Sequence, residues 1–389
     1  MKLLRHRLSL SGLALLAAVA LVAGCSSSSD SSTNSSSGTS AVTSATSAAT
    51  SAEVYQGVLG TPPTTTVALK STGLVWVVSC GQSVPTCASP AESAVEAAEA
   101  AGWTAKLCDG QLNPQGWSAC IRQGISAKAA GIIVIGQDCD SFQAALKEAK
   151  TAGIPTVAAG GNDCDVRGGE KLFSAVVQNM PDLTAEQWWK KMGALQADWI
   201  IEKTDAKAQV LSLKFTDSIW GGWIQDGFTT ELATCSGCKV LDTLTIGNAD
   251  VAGGQLTQKF ATALLKQPKA NAVNVPLDGW FFAGLSQAVQ SSGRADSLAV
   301  IGNFGETGNL DLIRKGTGED ATVGFSAPWV GWAGVDALAR TLAGQPTQPA
   351  GIGLQVIDSD HNLPESGTSF AYSPAVDFRA AYTKDWSRG

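Results

Sequence analysis

The chain has 389 residues and a formal net charge of −7, enough length for two domains with real cores. It is acidic and has no basic cluster, which excludes nucleic acid as an expected partner. Histidine occurs only at His6 and His361, so a Ser-His-Asp triad or multi-histidine zinc site would rest on His361 alone, in a loop expected to be solvated. No enzyme activity, cofactor or metal is expected.

In chain order, Lys2, Arg5 and Arg7 precede an uncharged, mainly apolar run over 8–24. The run is short of the roughly 20 residues of a stable bilayer span and has the pattern of a signal peptide. It closes on Val22-Ala23-Gly24-Cys25, which resembles a bacterial lipobox. That resemblance implies removal of 1–24, acylation of Cys25, and a mature protein held through its lipid on the outer face of the cell membrane. Without the three basic residues of the signal the net charge is −10. Residues 26–52 are almost wholly Ser, Thr, Ala and Gly, so 25–65 reads as the lipidated cysteine and a flexible tether.

The eight remaining cysteines fall in neighbouring pairs: Cys80 and Cys87, Cys108 and Cys120, Cys139 and Cys164, Cys235 and Cys238. Outside the cytoplasm disulfides persist, and four short-range bridges are expected, although sequence alone leaves the connectivity open. Cys235-Ser-Gly-Cys238 also has a redox or zinc spacing. It follows a predicted helix, whereas a reactive pair usually opens one.

From about Thr66 the pattern is globular. A strand over 74–78 begins a series in which helices end in small residues and glycine at Gly102, Gly131 and Gly153, each followed by a short apolar strand (103–107, 132–135, 156–158). Ser89-Pro90-Ala91-Glu92 reads as a capping box, and Asp140-Ser-Phe-Gln143 as a similar cap. Strands over 209–213, 239–244, 272–275, 298–301 and 322–325 follow, alternating with helices over 184–203, 255–265, 280–292 and 331–342. Trp188, Trp189 and Trp199 in the first of these helices read as core. The alternation predicts an α/β protein with two doubly wound parallel-sheet lobes, ligand binding beyond the carboxyl ends of the strands.

The run Gly102-Trp-Thr-Ala-Lys-Leu-Cys-Asp-Gly-Gln-Leu-Asn-Pro114 resembles the type I periplasmic binding proteins of the ribose-binding group. Gly153-Ile154-Pro155, Asp226-Gly227-Phe228, the strand ending at Asp278 and the closing stretch from Val376 to Trp386 resemble the same group, in the same order. The resemblance spans roughly 67–386. It implies two lobes on a three-segment hinge, with crossings near 178–183, 325–329 and 349–354. The first lobe is expected over 66–180 plus 328–348, the second over 181–327 plus 349–389. It implies a receptor that passes a small-molecule solute to an ABC permease and its ATPase. The alternative is a surface lipoprotein that presents the solute to a membrane receptor.

Positions where sugar binders of that group carry polar groups match Gly160, Gly161, Gly222, Leu277, Phe304 and Phe325 here. A cleft so lined suits a sugar derivative or a more apolar or aromatic solute better than a bare monosaccharide, because unmet hydrogen bonds cost about 1–3 kcal/mol each. The aromatic ligand-binding candidates are Trp220, Trp280, Phe304 and Trp329, with Trp223 beside them. The polar candidates are Gln82, Gln111, Asn162 and above all Asp278, with Asn113 as a further possibility and Asp109 as a structural group.

Overall fold

The computed structural model describes residues 51–70, 73–365 and 374–388. The signal run, Cys25 and most of the tether lie outside the described residues. Helix α1 (Ser51–Gln56) and strand β1 (Val67–Leu69) come first. The first lobe follows with β2 (Leu74–Ser79), α2 (Pro85–Ala100), β3 (Thr104–Asp109), α3 (Pro114–Ser126), β4 (Gly131–Ile135), α4 (Gln143–Thr151), β5 (Thr156–Ala159) and β6 (Ala175–Val176). The second lobe holds α5 (Ala185–Lys203), β7 (Gln209–Phe215), α6 (Ile219–Leu232), β8 (Lys239–Ile246), α7 (Asn248–Ala252), α8 (Gln255–Lys266), β9 (Ala272–Asn274), α9 (Ser286–Ser291), β10 (Ala299–Phe304), α10 (Thr307–Lys315) and β11 (Ala321–Gly324). The chain ends with α11 (Ala327–Ala343), β12 (Gln355–Asp358), α12 (Phe378–Asp385) and β13 (Trp386–Arg388).

The first sheet runs β3-β2-β4-β5-β6 and is parallel throughout. The second runs β12-β11-β10-β9-β7-β8, parallel except for β12, which is antiparallel to β11. The apolar runs of β2 and β4 are buried along nearly their whole length, as expected of central strands covered by helices on both faces. This is the two-lobed, doubly wound architecture that the alternation of elements predicts. No helix among the described residues is long and apolar enough to cross a membrane.

Several boundaries differ from expectation. Helix α2 starts a turn earlier than the Ser89 box, at Pro85 after Val84, with Pro90 inside it. The bond between Cys80 and Cys87 ties that extra turn to the end of β2, and Pro85 supplies the first-turn proline. Asp140 lies in a short 3₁₀ turn and pairs with Arg167 instead of capping α4. At the end of α3 the left-handed residue is Lys128, and Gly131 already belongs to β4, where a side chain would strike Leu338. The predicted helix over 280–292 is broken at Ala283 and Gly284.

The ends of the chain do not follow the expected lobe boundaries. After β12 the chain returns to the first lobe: Phe378 stacks on Trp329, Trp386 stacks on Trp332, and β13 pairs with β1. The expected placement of the whole of 349–389 in the second lobe therefore fails beyond β12, because these aromatic rings find their apolar partners on α11. Buried Arg340 pairs with Asp336 and also binds Thr65, while Trp386 Nε1 donates to Asp336. The segments at Thr65 and Trp386 are thereby held to one helix. At the other end, α1 docks on the second lobe through Tyr55, whose hydroxyl donates to Asp358 and whose ring stacks on His361. His361 lies in an exposed loop, as expected, with its ring stacked on Tyr55 and its Nδ1 beside Asp358.

Residues 57–61 then run against the third crossing, joined by a bridge between Val58 and Leu354. Gly351 has φ +83°, and a Cβ there would lie 1.9 Å from the Thr61 carbonyl oxygen. Gly351→Ala should therefore combine backbone strain with a backbone clash. We expect a loss of about 3 kcal/mol or more in urea unfolding; a change below about 0.5 kcal/mol would show that the two segments separate freely.

Candidate functional site

Loops at the carboxyl ends of strands in both lobes face one another, the place where open parallel sheets bind ligands. A cavity lies between them. Its second-lobe wall is aromatic. Trp189 stacks on Trp220 at 5.0 Å, Phe215 lies 5.0 Å from Trp220, and Phe304 lies 5.1 Å from Phe325. Trp188 and Trp280 complete this wall. The first-lobe wall is smoother, with Leu112, Gly136, Gly160, Val330 and the Cys80–Cys87 disulfide. Trp117 adds an aromatic edge, its Nε1 donating to the Cys80 carbonyl at 2.8 Å.

Six lining residues carry polar side chains: Thr86, Gln137, Asn179, Asp217, Ser218 and Asn248. The Asp217 carboxylate accepts from the Asn248 N–H at 2.6 Å and the Thr216 hydroxyl at 3.2 Å. Asn179 Oδ1 is buried and has no hydrogen-bond partner.

Beside the cavity, Asp138 joins the lobes. One carboxylate oxygen accepts from the backbone N–H and side-chain amide of Asn162, in its own lobe. The other crosses the cleft to the Ser218 hydroxyl at 2.6 Å and the Ile219 N–H at 3.1 Å. It thus satisfies a backbone donor in the first turn of α6, where a negative charge also meets the positive end of the helix dipole. The bond between Cys139 and Cys164 holds the Asp138 and Asn162 loops together. Cys108 is bonded to Cys120 in the same lobe. Cys235 is bonded to Cys238 at the far end of α6.

Asp278 is fully buried and does not line the cavity. Its carboxylate accepts from the N–H groups of Gly305 at 2.8 Å and Glu306 at 3.1 Å and from the Thr322 hydroxyl. That grip stabilises the turn in which Phe304 adopts φ +95°, a conformation rare for a bulky residue. The aspartate therefore positions Phe304 against the cavity instead of touching a ligand itself. A Cβ on Gly302 would lie 2.4 Å from both Asp278 Oδ1 and Glu319 Oε1, so the two carboxyl groups meet over that glycine. Burial raises the pKa of both; the charge and hydrogen bonding of Asp278 raise Glu319 further, while the hydrogen bond from Glu319 pulls Asp278 back down, so the pair retains a proton, held on Glu319.

That proton gives a stability prediction. The folded-state pKa values lie above the unfolded ones, so the stabilisation is present below the ordinary carboxylate range, about 4, and is lost as pH rises towards and past neutrality. Glu319→Gln should flatten this decline, measured as urea unfolding at pH 5 and pH 8.5. Equal slopes in the two proteins would refute a shared proton.

Glu306 follows in the same turn. It faces α2 of the first lobe across a groove that also contains Gln82, Ser89 and Glu92. Its carboxylate oxygens are buried with no hydrogen-bond partner, and the Thr86 hydroxyl faces them without forming a complete bond. Burial pushes the Glu306 carboxyl up to about 8, with the negative charge of Asp278 adding to the effect.

Of the residues expected from sequence, the structure brings Trp220, Trp280 and Phe304 to the cavity wall. The others serve elsewhere. Gln82 donates to Ser79 and lines the outer groove, while Gln111 is exposed and its neighbour Leu112 faces the cavity. Asn162 supports Asp138, Asn113 caps α3, and Asp109 accepts from the N–H groups of Gln82 and Gln111. Trp329 is buried on α11, donating to Tyr382, and Trp223 is buried without reaching the cavity. Trp188 and Trp189, expected as core, line the cavity, whereas Trp199 is core and donates to Asp358. Sequence reasoning missed Asp138 and Asp217. Their position just beyond a strand was the available signal.

Two α/β lobes bridged across a cleft define a clamshell binding protein. The sequence matches the periplasmic binding protein domain family over residues 75–346, and the chain belongs to that family. Solved structures with the same fold include the periplasmic component of the arabinose ABC transporter from Shewanella sp. ANA-3, at 21% identity and TM-score 0.61, covering 74% of this chain and 92% of that one. A glucose-galactose binding protein from Geobacillus stearothermophilus has 20% identity and TM-score 0.63, covering 76% and 100%. An ABC transporter solute-binding protein from Mycobacterium smegmatis, solved with glycerol, has 16% identity and TM-score 0.63, covering 78% and 100%. No curated protein matches the chain.

Proposed function

We propose that the protein is the extracytoplasmic, lipid-anchored receptor of an ABC importer, capturing a small solute between closing lobes and presenting it to a permease. The observation that carries this reading is the Asp138 bridge, which joins the two lobes directly beside an aromatic cavity. Membership of the family supports solute capture. The lipobox-like Val22-Ala23-Gly24-Cys25 supports the anchor, and the four cysteine pairs suit an oxidising compartment. The neighbours' names mention arabinose, glucose and galactose. The aromatic wall favours a sugar derivative or another solute with a substantial apolar face over a bare monosaccharide.

Intrinsic tryptophan fluorescence and solution scattering, with panels of monosaccharides and of apolar or aromatic solutes, test the reading. A saturable fluorescence change together with compaction supports it. Chemical turnover of a bound solute, or neither response to any panel member, counts against it. Cys25→Ser should move the protein from the membrane fraction to the medium; unchanged partition would remove the anchor from the proposal.

A further inference from the structure

Resting on the receptor reading, the charge pattern of the cleft narrows the solute. Among the described residues that line the cavity, Asp217 is the only charged side chain, and no Lys, Arg or His reaches it. The Asp138 carboxylate stands close behind the wall, taken up by Ser218 and the Ile219 N–H. A buried anion would meet the Asp217 carboxylate and no cation to pair with, an arrangement that disfavours it. A cation meets the opposite conditions. The faces of tryptophan rings attract positive charge, the more so where water is excluded. Asp217, an exposed carboxylate on the cavity lining, supplies a countercharge.

Shape adds a constraint. Gly136 and Gly160 lie together on the first-lobe side, a Cβ on Gly160 falling 3.7 Å from the Gly136 Cα. Facing them is the wall containing stacked Trp189 and Trp220. A side-chain-free surface opposite aromatic rings admits a flat body between them.

We infer that the solute is an organic cation: a protonated amine or quaternary ammonium on a flat aromatic or alicyclic body. The nitrogen lies towards Asp217 and the body against Trp189, Trp220 and Phe304. Asp217 is the specificity-determining residue, and Trp220 and Phe304 supply the surface that holds the ring.

Three near-isosteres test this in the full mature chain: 2-phenylethylammonium, neutral 2-phenylethanol and anionic phenylacetate, with D-galactose as the sugar arm. Tryptophan fluorescence titrations should show the ammonium binding at least tenfold more tightly than the alcohol, with no saturation by phenylacetate. In Asp217→Asn the ratio of ammonium to alcohol affinity should fall to about one. The asparagine can still accept from Asn248, and a melting curve checks that it folds.

Saturation by galactose or phenylacetate without the ammonium overturns the inference and leaves the receptor reading standing. Equal binding of ammonium and alcohol overturns it too, as does an ammonium preference that survives in Asp217→Asn. Silence towards all four probes overturns the inference, while the wider solute panels decide the receptor reading separately.

Discussion

Replacing Asp138 with alanine is expected to hold the protein open. In the closed arrangement its carboxylate makes two bonds across the cleft, to Ser218 Oγ at 2.6 Å and Ile219 N at 3.1 Å. Hydrogen bonds to a charged group contribute about 1.5–3 kcal/mol each, and a negative charge at a helix N-terminus adds about 0.3–1 kcal/mol. Water replaces part of this when the lobes separate, so the closed state should lose about 3 kcal/mol relative to the open one. That corresponds to roughly a hundredfold in the closure equilibrium and in the affinity for any solute bound by closure. The radius of gyration from solution scattering should rise, and the dissociation constant for a solute found in the panels should rise with it. Asn162 also loses its acceptor inside the first lobe, so a lower melting temperature is expected alongside. If both the radius and the affinity stay at their wild-type values, Asp138 is not a latch.

The second large effect is a pH dependence of closure. Glu306 sits between the lobes with its oxygens unpartnered, and burial raises its pKa to about 8. The groups facing it are Thr86 and Glu92 of α2 and Asp278 of its own lobe, while Glu96, further along the groove, is paired with Arg379. None is a free cation that would hold it ionised. With the lobes apart the carboxyl is hydrated and titrates near its ordinary value, about 4.3. Closure therefore takes up a proton between about pH 4.3 and pH 8. The sign follows: raising the pH through this window makes closure harder, by up to about tenfold per unit. Water entering the groove reduces that slope, and between pH 5.5 and 7.5 a loss of roughly tenfold in affinity is expected. Glu306→Gln should remove the dependence and bind more tightly than wild type at pH 7.5. A pH profile that persists in Glu306→Gln would assign the titration to another group.

Both predictions concern residues that sequence reasoning did not select. Asp138 stands three residues beyond β4 and carries no local motif. Its partner Ser218 lies 80 positions away, and only the approach of the lobes gives the pair a role. Glu306 reads in sequence as an ordinary helix-start carboxylate; the opposing α2 makes it a buried one. Asp278 shows the reverse error. Its position at a strand end matches a binding residue, yet the turn at Gly305 and Glu306 folds over it and takes its acceptors. Trp188 and Trp189 have the spacing of a buried face, and they are buried, but in the wall of a cleft and not in the centre of a lobe.

The sequence by itself determined the two-lobed α/β class, most strand positions and the family resemblance. These depend on short-range physics: apolar runs long enough for a buried strand, glycine or proline where a helix must stop, and caps within one turn. The neighbouring cysteines made short-range bridges the expectation, while the pairing itself, with separations of 3 to 25 residues, is read from the structure. Tertiary structure alone decided which side chains face the cleft, why α12 and β13 return to α11, and which carboxylate latches the lobes. Each of these is a contact between segments distant in the chain. Such contacts are set by how helices pack on two sheets and how the sheets approach, and no local pattern encodes that geometry.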